Sequence, residues 1–163
     1  MFRAEGAGIA EAAEGVGLND IDEISAVVLE EAIALHRQLG PGLFESVYEA
    51  VLAGRLEARG FRVERQVPVP LSVDGRQFDV AFRIDILVEQ RLILEIKAVD
   101  QLSKAHARQL LTYLRLMNQP VGLLLNFSHD TMKEGIRRLV NDYCPIQASS
   151  APSASSAFSA RNP

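Results

Sequence analysis

The chain is predicted to be an α/β protein with a mixed sheet, and three observations carry that expectation. Residues 61–99 hold three runs of β-branched and aliphatic residues separated by turn dipeptides, the pattern of an antiparallel meander. Two stretches with helical spacing precede them, and a further helix, strand and helix follow. At 163 residues, with 48% hydrophobic and 23% charged residues, the chain has the composition of a globular domain with a real core.

Each element has a local reason. Residues 1–19 are rich in Ala, Gly and Glu without a periodic stripe and are expected to form a flexible leader. A helix starts at Asp20 or Asp22, either of which suits a cap, and Ile24, Val27, Val28, Ala32 and Leu35 follow the three-four spacing. Gly40-Pro41-Gly42 ends it. A second helix is predicted over 44–59, with Val47, Val51, Leu52 and Leu56 facing the core. Residues 61–73 alternate as a strand, and Pro68 and Pro70 put that strand at an edge. Asp74-Gly75 is a tight-turn pair, so a second strand over 77–88 returns antiparallel, and a third covers 92–99. A helix over 103–117, capped by Ser103, buries Leu110, Leu111, Leu114 and Met117. The apolar run 121–127 suits a strand covered on both faces. A last helix is predicted over 131–142, and the Ala/Ser/Pro-rich residues 146–163 are expected to be a disordered tail. The order is α-α-β-β-β-α-β-α, one domain over 20–145, with helices on both faces of a mixed sheet.

The second and third strands carry the chemistry. Asp85, Glu95 and Lys97 interrupt an otherwise apolar hairpin, and ionised groups in such a place are paired or bind a cation. Glu95 and Lys97 share one face of their strand. A three-residue turn at Glu89-Gln90-Arg91 pairs Val88 with Leu92 and sets Asp85 opposite Glu95, giving two carboxylates and an ammonium in one patch. A two-residue turn puts Asp85 on the other face.

The stretch His36-Arg37-Gln38-Leu39-Gly40-Pro41-Gly42-Leu43-Phe44-Glu45-Ser46-Val47-Tyr48 resembles the signature of the GxxExxY proteins, with Gly42, Glu45 and Tyr48 at the named positions. The resemblance runs on through Arg83-x-Asp85, Glu95-Ile96-Lys97-Ala98 and Gln109-Leu110-Leu111-Thr112-Tyr113-Leu114. It continues through Leu124-Leu125-Asn126-Phe127 and Gly135-Ile136-Arg137-Arg138, spanning about 24–141. That family is placed in the PD-(D/E)XK nuclease-like superfamily. The resemblance implies a restriction-endonuclease-like core, α-β-β-β-α-β with flanking helices. It also implies a nuclease acting on nucleic acid, DNA by preference, with Gln109 and Tyr113 matching a Gln-x-x-x-Tyr element in which Gln109 orients the site and Tyr113 contacts a nucleotide or phosphate.

The residues make chemical sense in those roles. Mg²⁺, or Mn²⁺, is a hard cation that takes carboxylate and carbonyl oxygens and retains waters. Asp85, Glu95 and the Ile96 backbone carbonyl offer three oxygens, and Glu45 a fourth or a second-metal ligand. Lys97 would hold a water or steady developing charge. Against this stand plainer readings: Asp85, Glu95 and Lys97 as a structural ion-pair cluster, Glu45 as a first-turn glutamate favoured by the helix dipole, and Tyr48 as a core or partner-facing aromatic. Lys133, Arg137 and Arg138 read as charge complementing the last helix dipole. His36, His106 and His129 lack metal-ligand spacing.

Composition sets the outer limits. A net charge of -4 carries no signature of a non-specific nucleic-acid binder. A single cysteine, Cys144, rules out an internal disulfide and suits a reducing compartment. No apolar run approaches the ~18 residues of a membrane span, and no secretion signal is evident, so the cytoplasm is expected. The other readings are a catalytically silent nuclease fold serving as a nucleic-acid-binding or protein-interaction module, and a homodimer through apolar faces and Tyr48.

Overall fold

The computed structural model describes residues 20–141; the expected leader over 1–19, the tail over 146–163 and Cys144 lie outside them. Helix α1 (Ile21–Leu39) starts at Asp20, whose carboxylate accepts the Asp22 N–H at 3.0 Å, and it buries Ile24, Val28, Ala32 and Leu35. His36, near its end, is also buried and donates its ring Nε2–H to the His129 carbonyl at 2.9 Å, so it ties α1 to the loop at 129. Gly42, at φ 105, adopts a conformation that side chains disfavour and turns the chain into α2 (Glu45–Ala58).

Helix α2 is rotated relative to its sequence pattern. Val47 and Val51, expected in the core, are 38% and 37% exposed, and the buried side is Tyr48, Glu49, Leu52, Ala53 and Leu56. Tyr48 decides the rotation. Its ring stacks on Phe127 at a centroid distance of 4.3 Å, and its hydroxyl donates to the Gly40 carbonyl at 2.6 Å and accepts the Leu43 N–H at 3.2 Å. A tyrosine with both ring and hydroxyl satisfied inside outweighs two valines of smaller area. Tyr48 is fully buried, the core placement of the two expected for it, and offers no surface to a second copy.

Strands β1 (Val63–Val73), β2 (Arg76–Val88), β3 (Leu92–Lys97), β4 (Val121–Asn126) and β5 (Ile136–Val140) form one sheet in that spatial order. All neighbours are antiparallel except β3 and β4, which run parallel through the crossover helix α3 (Lys104–Leu116). Asp74 and Gly75, at φ 49 and 73, make the hairpin turn their identities predict. Ser103 caps α3 in a capping box with His106. Pro68 and Pro70 sit in β1, an edge strand, with a register shift between Val69 and Leu71. One core, including Ile86, Leu94, Leu123 and Leu125, lies under α1 and α2; the other, including Leu87, Ile93, Leu110 and Leu124, lies under α3. No described helix is long and apolar enough to cross a membrane.

The predicted helix over 131–142 is corrected. Only α4 (Met132–Gly135) is helical, and residues 136–140 pair antiparallel with β4 as β5. The fully buried β4 would otherwise present an open row of backbone donors and acceptors on that side, and pairing with β5 satisfies them. Arg137 and Arg138 accordingly belong to a strand rather than a helix end, and Arg138 reaches Asp22 at 2.5 Å.

Candidate functional site

The hairpin between β2 and β3 takes the three-residue register: Val88 pairs with Leu92, Leu87 with Ile93 and Ile86 with Leu94. Pairing stops there, and the two strands fork. Both β1 and β2 break their alternation at this level. Ile86 and Val88 face the α1/α2 core while Ile84 faces the α3 core, and Gln66 on β1 adopts φ 52. The Asp85 carboxylate fills the gap that results, its Oδ2 accepting the Ile96 N–H at 2.8 Å where a β2 carbonyl would otherwise be. N–H and C=O of one strand residue point to the same side, so the Ile96 carbonyl faces the gap as well, while the Lys97 carbonyl turns to β4 and accepts the Phe127 N–H at 2.8 Å.

Glu95 and Lys97 complete the fork from β3. Glu95 is buried, and its Oε1 accepts from the Lys97 ammonium at 2.7 Å. Its Oε2 is the buried side-chain polar atom that lacks a hydrogen-bond partner among the described residues. Burial, then the Asp85 charge, push the Glu95 carboxyl up to about 7, against the pull of Lys97. Burial also raises Asp85, followed by Glu49, while the Ile96 N–H and Lys97 oppose it. Burial works to lower the Lys97 ammonium, yet its bond and charge pairing with Glu95 prevail and hold it above an ordinary lysine.

Helix α2 feeds two more carboxylates toward the fork. The Gly42 turn and the Tyr48 hydroxyl fix the start of α2, and Glu45 Oε1 there accepts the Ala98 N–H at 3.0 Å, next to Lys97. One turn on, Glu49 is buried and escaped the sequence reading. It holds Arg65 Nε at 2.9 Å and Gln66 Nε2 at 2.8 Å, and Gln66 in turn lies 3.4 Å from Asp85 Oδ1. The sequence signal for Glu49 was its i+4 spacing from Glu45; nothing local marked Gln66. From the other face, Gln109 donates to the Tyr113 hydroxyl at 2.6 Å. Burial and the Glu95 charge raise the Tyr113 phenol, which puts its ring within electrostatic reach of the cluster.

One ammonium, Lys97, thus faces the charges of Asp85, Glu95 and Glu45, which is the imbalance a cation corrects. Among the described residues no three acidic, His or Cys side chains converge closely enough to enclose an ion. The donor set fits an open site of two carboxylates and a carbonyl, the kind Mg²⁺ accepts while keeping waters. His36 stands apart, lining a cavity of about 280 Å³ with Ile33, Arg37, Asp130 and Lys133.

A mixed five-stranded sheet with an α3 crossover, flanked by helices and carrying acidic residues where two strands part, defines a restriction-endonuclease-like fold. The family model for the PD-(D/E)XK nuclease superfamily matches residues 22–139, well over half of the chain, and the chain belongs to that superfamily. No curated protein and no solved structure gives a significant match.

Proposed function

We propose that the protein is a divalent-metal-dependent nuclease of the GxxExxY type, hydrolysing phosphodiesters of nucleic acid, with DNA the first substrate to test. The observation that carries this is the buried, unpartnered Glu95 Oε2 beside Asp85, in a cluster short of positive charge. Asp85, Glu95 and the Ile96 carbonyl would hold Mg²⁺ or Mn²⁺, with Glu45 in support. The ion, when bound, would acidify a coordinated water and shield phosphate charge. Lys97 is held protonated and near Glu95, where it orients water or steadies negative charge on the phosphate. Glu45 braces the chain just past Lys97 through the Ala98 N–H. Gln109 fixes the Tyr113 hydroxyl for a nucleotide or phosphate contact.

Calorimetric titration with Mn²⁺, paired with a cleavage assay, tests this. Wild type is expected to bind metal and cut. Asp85→Ala is expected to lose both, and Lys97→Ala to keep metal and lose cleavage. Absence of metal binding by wild type, with an oligonucleotide present, overturns the proposal and leaves the cluster as a structural ion-pair network in an interaction module.

A further inference from the structure

We infer that the cavity between α1 and α4 is a binding site for a small phosphorylated sugar, held through its phosphate by Arg37 and Lys133 and through its hydroxyls by His36 and Asp130. The inference is independent of the chemistry at the fork.

Ile33, His36 and Arg37 are three and four apart in sequence, so α1 presents them on one face. Asp130, Met132 and Lys133, from α4 and the residues just before it, complete a cavity of about 280 Å³. That is just under the about 300–1,000 Å³ of drug-sized ligand sites, which suits an occupant of a single sugar ring.

His36 supplies the first polar contact. It is only 5% exposed, and its ring Nε2 meets the His129 carbonyl at 2.9 Å. A carbonyl can only accept, so that bond fixes both the ring and a proton on Nε2. In the neutral ring Nδ1 is then an acceptor, and no group among the described residues donates to it. Unlike Glu95 Oε2 it is not sealed in, because the ring lines the cavity. An acceptor left bare in a buried ring costs about 1–3 kcal/mol, so it calls for an O–H from whatever fills the space.

The charges around it define the rest of the occupant. Arg37 and Lys133 have no ion-pair partner among the described residues, although Asp130 lines the same cavity. Opposite charges that face one cavity without meeting leave room for a ligand between them. Two cations against one carboxylate favour an anion, and the planar guanidinium fork matches phosphate oxygens. Asp130 would repel a bare phosphate, yet a carboxylate is a good acceptor for sugar hydroxyls. Ile33 and Met132 offer an apolar wall to the carbon face of a sugar ring. The 5′-phosphorylated end of a DNA strand carries the phosphate and lacks the free hydroxyls, so a free sugar phosphate is the better match.

Ribose 5-phosphate is the probe, titrated calorimetrically into the full chain in EDTA so that no metal at the fork contributes. Wild type is expected to bind it saturably, and more tightly than inorganic phosphate or ribose. Arg37→Ala and Lys133→Ala are each expected to weaken it about ten- to hundredfold. His36→Gln keeps an N–H for the His129 carbonyl and removes Nδ1, so a loss of about fivefold is expected with the melting temperature preserved. Asp130→Ala is expected to weaken ribose 5-phosphate and to tighten inorganic phosphate, a reversal that a merely structural aspartate would not give. Asp85→Ala is expected to bind ribose 5-phosphate as wild type does. No binding by wild type, or affinity unmoved in both Arg37→Ala and Lys133→Ala, overturns the site. Loss of binding in Asp85→Ala also overturns it, by moving the ligand to the fork. A 5′-phosphorylated oligodeoxynucleotide that binds as tightly as ribose 5-phosphate, or an Asp130→Ala protein that tightens both small ligands, overturns the sugar assignment.

Discussion

Glu95→Gln separates the charge of the buried carboxyl from its shape. The native carboxyl is raised from 4.5 to about 7, so between those values the folded protein holds a proton that the unfolded chain has released. Stability therefore falls as pH rises through that window and stays low above it. Glu95 is only 3% exposed, so the rise corresponds to about 3 kcal/mol of stability lost by pH 8. Glutamine is neutral throughout and its amide oxygen still accepts from Lys97. Urea denaturation in EDTA is then expected to give wild type and variant similar stability near pH 5, and a variant more stable by about 3 kcal/mol at pH 8. In thermal melts the gap is on the order of 10 °C. Mg²⁺ at pH 8 is expected to restore wild type and leave Glu95→Gln nearly unmoved, since a cation stabilises the ionised carboxylate. A difference between the two proteins that does not change with pH would falsify the burial argument for Glu95, and with it the charge imbalance at the fork.

Three further outcomes follow from the geometry. Tyr48→Phe keeps the Phe127 stack and removes the hydroxyl between the Gly40 carbonyl and the Leu43 N–H; a loss of about 1–3 kcal/mol is expected in denaturant titration, and no loss would mean the loop before Glu45 is held by other contacts. Gly135→Ala sets a Cβ 2.0 Å from the Asn126 carbonyl oxygen, a backbone atom, and is expected to cost about 3 kcal/mol; a wild-type melting temperature would refute the close approach of α4 and β4. Gln66→Ala removes an exposed side chain that joins Glu49 to Asp85, so Mn²⁺ affinity is expected to drop roughly tenfold with little change in stability, and unchanged affinity would show that Asp85 needs no support from β1.

Local chemistry was legible in the sequence because its causes are local. The caps at Asp20 and Ser103 and the Asp74-Gly75 turn depend on neighbouring residues alone. Glu95 and Lys97 share a face by strand periodicity, and the alternative turn lengths at 89–91 left only two registers to choose between. The three-residue register that the structure adopts is the one that brings Asp85 to Glu95. Tertiary structure decided the rest. Only the Phe127 ring, distant in sequence, could tell α2 to bury Tyr48 and turn Val47 and Val51 outward. Only the unpaired side of β4 could draw residues 136–140 into a strand. Glu49 and Gln66 reach Asp85 because β1 and β2 rotate together where the sheet forks, an event that no period of 2 or 3.6 encodes. Residue types and spacings determined which groups carry charge and on which strand; long-range packing determined which of those charges were enclosed together.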